Sequence, residues 1–146
     1  MLEQYIYLIC PFSTLIICQL IKFVVESIEN RRLNFARLFN GCGGMPSSHT
    51  SFASSLTMLI GFRLGFDSPL FALGLVFTFI VSYDAMGIRL ESEKQAEAIN
   101  LIFEKFLKGK TKQGFTKLKE ELGHKPLEVL VGIFLGTLMA FIFSLI

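Results

Sequence analysis

Gly43-Gly44-Met45-Pro46-Ser47-Ser48-His49, running directly into Thr50–Phe62, is the stretch on which the fold turns. Pro46 suits the first position of a helix, because its φ is already helical and its missing N–H would have had no partner there. That predicts Ser47 and Ser48 in the first turn. Their free backbone N–H groups, their hydroxyls and the positive helix end make an anion site, and Gly43 and Gly44 let the preceding chain approach a ligand closely. His49 follows, placed to exchange a proton with whatever binds. The same residues also suit a flexible turn before a serine-capped helix. The helix they open carries Thr50, Ser51, Ser54, Ser55 and Thr57, so it crosses a bilayer only if that hydroxyl face packs against other helices.

The surrounding composition supplies those helices. Across 146 residues, 52% are hydrophobic, 16 are Phe and the mean hydropathy is +0.57, more than a soluble domain of this size normally carries. Tyr5 to Val25 offers 21 residues whose only charge is Lys22 near the end, and matches the roughly 20 residues that cross a bilayer core. Leu70–Met86 and Leu127–Ile146 read the same way, the latter with Gly132 and Gly136 as a GxxxG step for close helix contact. The expected fold is an all-α integral membrane bundle, one domain over 1–146, with spans near 5–25, 46–62, 70–86 and 127–146. The first apolar run lacks a basic leader and a small-residue cleavage pattern, and reads as a permanent span.

Between the last two spans, residues 87–125 hold nine of the 14 Lys and Arg residues. Ala96, Ile99, Phe103 and Phe106 recur near helical spacing, predicting an amphipathic helix on the membrane surface. A second short helix is expected around Phe115, Leu118 and Leu122. Arg31, Arg32 and Arg37 add charge to the first loop, so the positive-inside rule puts that loop and the insertion in the cytoplasm and both termini on the other side. Lys22, Gly43–His49, Arg89 and His124–Glu128 then share one membrane face.

A net charge of +2, dispersed rather than gathered on a face, argues against nucleic acid as a partner. Three cysteines cannot all pair; Cys10 and Cys18 behave as small hydrophobes within a span, and Cys42 reads as a bystander. Neither HxxxH nor CxxC spacing occurs, so no metal and no cofactor is expected.

Gly123-His124-Lys125-Pro126-Leu127-Glu128 forms the second constellation. Pro126 again marks a helix start, leaving His124 just outside it, and Glu128 at the third helical position can reach back to hold the imidazole. A carboxylate on one ring nitrogen fixes the tautomer and raises the basicity of the other, as a histidine nucleophile requires. A loop histidine beside an ordinary capping glutamate is the plainer alternative. Arg89 reads as a phosphate clamp and Asp84 as an orienting partner for it or for a histidine, although five residues of separation do not share a helix face; an interfacial arginine and a helix-end aspartate are the plainer alternative. Lys22 is either a snorkelling lysine or a further anion ligand.

Together, GGMPSSH, YDAMGIR, EKQAEAIN and LGHKPLEVLVG resemble the type 2 phosphatidic acid phosphatase superfamily, which includes vanadium haloperoxidases. They are most similar to its divergent branch, the acid phosphatase/vanadium-dependent haloperoxidase-related membrane proteins. The resemblance implies phosphate binding by Lys22, Arg89, Ser47, Ser48 and Gly44, a general acid in His49, a nucleophile in His124 and an orienting carboxylate in Glu128. It implies hydrolysis of a lipid phosphate monoester, of phosphatidylglycerophosphate or phosphatidic acid type, or of a polyprenyl diphosphate. Ser48 stands where the superfamily has glycine, Glu128 where it has aspartate, and Leu90–Gly123 separates the arginine from the histidine. A non-catalytic lipid- or anion-binding membrane protein retaining the fold is the alternative. Four spans against the superfamily's usual six point to a homodimer as a candidate assembly, with membrane lipids as the other partners.

Overall fold

The computed structural model describes residues 5–30, 44–106, 117–118 and 123–146. Among these the chain is helical: α1 (Ile6–Asn30), α2 (Ser48–Leu64), α3 (Pro69–Met86), α4 (Ile88–Phe106) and α5 (Pro126–Ser144). Three stretches are long and apolar enough to cross a membrane: Ile6–Ile28, the run Pro69–Lys105 that joins α3 to α4, and Pro126–Ser144. The expected all-helical membrane bundle is what forms.

The 17-residue α2 sits at the centre, packed against α1, α3 and α5. Its composition explains why. Ser48, Thr50, Ser51, Ala53, Ser54, Ser55, Thr57, Leu59 and Gly61 are all buried, and small side chains let three neighbours approach at once. Its hydroxyls are satisfied locally, Ser51 Oγ donating to Ser47 O at 2.7 Å and Thr57 Oγ1 to Ala53 O at 2.9 Å, so the polar face is tolerated in a dry interior. On α5, a Cβ at Gly132 would stand 2.9 Å from Ser47 O, and one at Gly136 2.6 Å from Ser51 O. The glycine step is therefore the α2–α5 contact. Thr57 and Thr78 pair their hydroxyls at 2.8 Å between α2 and α3.

These contacts also orient the bundle. Ile6, Cys10, Leu59 and Ala140 form a core cluster at one end; Cys18 Sγ reaches Pro46 O and Lys22 Nζ reaches Ser48 Oγ at the other. The first and last described helical residues thus lie away from the polar segments around Ser48 and His124. Leu8, Phe12, Ile16 and Leu20 on α1, and Leu130, Phe134 and Phe141 on α5, face outward, as lipid-facing positions do.

Two sequence expectations are corrected. The helix after Met45 begins at Ser48 with Ser47 as N-cap, not at Pro46: Gly44 has φ +76°, and the Ser47 amide donates to Glu128 O at 3.0 Å, so the chain is still turning there. On α4 the inward line is Glu93, Ala96, Asn100 and Phe103, whereas Ile99 is exposed. Asn100 displaces it because its amide holds the backbone of Leu118 from both sides, at 2.9 and 3.0 Å. Leu118 and Lys117 are not helical; Phe115 and Leu122 of the expected second helix, like Arg31, Arg32, Arg37, Cys42 and Gly43, lie outside the described residues.

Candidate active site

The site collects at the end of the bundle where α2 and α5 begin and α3 gives way to α4. Pro126 occupies the first turn of α5 with Lys125 as N-cap, which leaves His124 outside the helix. Glu128 Oε2 lies 2.9 Å from His124 Nδ1 and also accepts the Lys125 N–H at 3.3 Å. An ionised carboxylate only accepts, so Nδ1 carries the hydrogen and Nε2 keeps its lone pair. The imidazole is 3% exposed, and its backbone N–H donates to Ala85 O at 3.0 Å. Burial pushes His124 below its ordinary range; the Glu128 hydrogen bond pulls the other way, and the positive charges of Lys22 and Arg89 add to the lowering. The ring is thereby kept neutral.

Lys22 is 3% exposed and donates to Ser48 Oγ at 2.9 Å. A buried ammonium needs acceptors, and the serine that stands in place of glycine supplies one. Arg89 Nε donates to Asp84 Oδ2 at 2.7 Å. The two meet despite their spacing because α3 ends at Gly87, whose φ of −99° and ψ of −89° turn the chain between them. Both side chains stay about one-third exposed, and the two terminal guanidinium nitrogens remain for an anion. His49 is exposed at the mouth of the site and within electrostatic reach of Arg89, His124, Lys22 and Asp84.

Lys22, Ser48, His49, Asp84, Arg89, His124 and Glu128, spread over 107 positions from 22 to 128, therefore converge on one region. Ser47 does not offer what the sequence suggested. Its amide is engaged by Glu128 O and its hydroxyl pairs with Thr50 Oγ1 at 3.0 Å, so it ties α2 to α5. No hydrogen bond among the described residues takes the amides of Ser48 or His49, which leaves these as the anion donors of the helix start. Gly44 shapes the turn through its positive φ. No group of three or more His, Cys, Asp or Glu side chains that could hold a metal occurs among the described residues.

Sequence reasoning gave no role to Glu93, which accepts the Gly123 N–H at 2.9 Å, or to Asn100. Both belong to EKQAEAIN, and their spacing of seven residues, two helical turns, was the available signal.

Residues 4–139 match the family described as the Divergent PAP2 family. The chain is 35% identical over 147 residues to the "Uncharacterized membrane protein YuiD" of Bacillus subtilis (strain 168), an alignment covering 94% of this chain and 92% of that protein. No solved structure matches.

Proposed function

The chain belongs to the divergent PAP2 family, and on that footing we propose that it is a metal-independent phosphatase acting on a lipid-linked phosphate. The reading rests on one arrangement: a buried, neutral imidazole whose Nδ1 is held by a carboxylate, set among two cations and a helix start. His124 Nε2 attacks phosphorus as the ester P–O bond breaks, giving a phosphohistidine. Protonated His49 delivers its proton to the departing alkoxide and, now neutral, takes one from the water that displaces Nε2 and releases inorganic phosphate. Lys22, the free end of Arg89 and the amides of Ser48 and His49 stabilise the equatorial oxygens.

A lipid substrate is supported by Met45, Tyr83 and Ile88, exposed apolar side chains that neighbour Pro46, Asp84 and Arg89 in the sequence. Phosphatidylglycerophosphate, phosphatidic acid and polyprenyl diphosphates are the substrate types to compare, and the basic insertion supports a site on the cytoplasmic side.

The engagement of Lys22 by Ser48 and of Arg89 by Asp84 favours a second reading, a lipid- or anion-binding protein without turnover. Phosphate release from a panel of lipid phosphates in detergent separates the two. The expected result is turnover that His124→Ala abolishes, with acid-labile phosphate trapped on the wild-type chain. Turnover undiminished in His124→Ala would sink the mechanism; phosphate or vanadate protection without turnover would favour the binder.

A further inference from the structure

We propose that α4 is a splint for the histidine segment, with Glu93 and Asn100 as positioning residues that fix where the His124 imidazole stands. This goes beyond the reaction assigned above and, in naming His124 as the group to be positioned, rests on that reading.

The segment before α5 has no regular secondary structure of its own at 123–125, yet it carries the most buried histidine. Something outside it must fix it, because an error of about 1 Å in a reacting group lowers rate on the order of 100-fold. The described contacts identify what does. His124 N–H is held by Ala85 O at the end of α3. One residue earlier, Gly123 N–H is held by the Glu93 carboxylate at 2.9 Å. Further back, Asn100 takes both the N–H and the C=O of Leu118, as a neighbouring strand would. Glu93 and Asn100, with Ala96 buried between them, form one inward line along two turns of α4.

The line also seats Gly123 directly on the helix. A Cβ there would stand 2.5 Å from Leu90 Cα and 2.8 Å from Leu90 N, and backbone atoms cannot yield. The close approach lets Gly123 N–H reach Glu93. The insertion separating Arg89 from His124 is thus bound back onto the helix it begins with, and EKQAEAIN acquires a physical role: two polar side chains that capture backbone groups of the returning chain.

Glu93→Ala removes the acceptor, whereas Glu93→Gln keeps an oxygen for Gly123 N–H. The test is ¹⁵N-histidine NMR of the full chain in detergent micelles alongside turnover. Only His49 and His124 occur, and His49→Ala identifies the signals. In Glu93→Ala the His124 ring is expected to lose its Nδ1–H signature and titrate nearer the ordinary imidazole range while His49 stays unmoved; Glu93→Gln should restore the wild-type spectrum. In turnover, kcat should fall about tenfold to 100-fold with KM within about twofold, as displacement of a reacting group by up to about 1 Å would give. A His124 spectrum unchanged in Glu93→Ala would overturn the proposal. Should that variant fail to fold, Asn100→Asp, which keeps the acceptor for Leu118 N–H and loses the donor to its carbonyl, carries the same comparison. No turnover by wild type, with the His124 response intact, would remove the phosphatase reading and leave the splint standing.

Discussion

A neutral, Nδ1-protonated imidazole has consequences that pH can test. Burial lowers the His124 pKa more than Glu128 raises it, so Nε2 keeps its lone pair from neutral pH down past the ordinary imidazole value of about 6.5; because His49 must carry the proton it donates, turnover should rise on mild acidification and decline only once a proton occupies Nε2. Stability follows the protonation of the His124 ring. Above about pH 6.5 the ring is neutral in both folded and unfolded chains, and it adds no pH dependence. As pH falls through that value the unfolded chain takes the proton first, so stability drops until the folded pKa is passed. Thermal melts in detergent between neutral and mildly acidic pH should show this acid loss in wild type and a smaller one in His124→Asn. Glu128→Gln keeps shape but can present a donor to Nδ1, disturbing the tautomer; kcat should fall by up to about 10⁴-fold with the melting temperature nearly kept. An unchanged kcat would detach the carboxylate from the chemistry. Ser48→Ala removes one acceptor from buried Lys22, for which about 1–3 kcal/mol of destabilisation is expected, read as a lower melting temperature.

Helix contacts set a second class of outcomes. Gly136 packs where a Cβ would lie 2.6 Å from Ser51 O and 2.8 Å from Ser55 N, both backbone atoms of the central helix. Gly136→Ala must push α5 away from α2 and should destabilise by about 1–3 kcal/mol, measured by detergent or thermal denaturation; wild-type stability would mean the two helices are not in register there. This contact was legible in the sequence because GxxxG has a single geometric meaning between apolar helices. The start of α5 was legible for the same reason: Pro126 and Glu128 each have a preferred place in a first turn. Pro46 carried the same local signal and misled by two positions, since the Ser47 N–H that should have been idle belongs to Glu128 O, a partner 81 residues away. Likewise Ile99 matched an apolar period, but Asn100 was drawn inward by Leu118. Tertiary hydrogen bonds from distant segments override local propensity, and no local pattern announces them.

At the scale of the molecule, α2 decides how many times the chain crosses the bilayer. Its 17 residues at 1.5 Å each extend about 25 Å, short of the hydrocarbon core of roughly 30 Å. Enclosed by α1, α3 and α5, it has no need to match lipid by itself. Its contacts run from Lys22–Ser48 at one end to Arg63 Nη2–Phe143 O at the other, the full depth of its neighbours. Counting α2 as a crossing puts Tyr5 and Ile146 on one side and the site with α4 on the other. The positive-inside rule gives the expectation that the side holding the Lys- and Arg-rich segments is the cytoplasmic one, and labelling tests it. Cys10 and Cys18 are fully buried, so a Cys42→Ser background suits labelling with a membrane-impermeant maleimide. A cysteine at Lys94, whose side chain is 60% exposed, should react only when the cytoplasmic face is open, and one at Ile146, 78% exposed, should react in intact cells. The reverse pattern would invert the orientation and take cytoplasmic lipid phosphates out of reach of His124. A cysteine at Tyr5, 55% exposed, should then label from the same side as one at Ile146; labelling of Tyr5 and Ile146 from opposite sides would mean that α2 does not cross, and the placement of the polar site at one membrane face would fail with it.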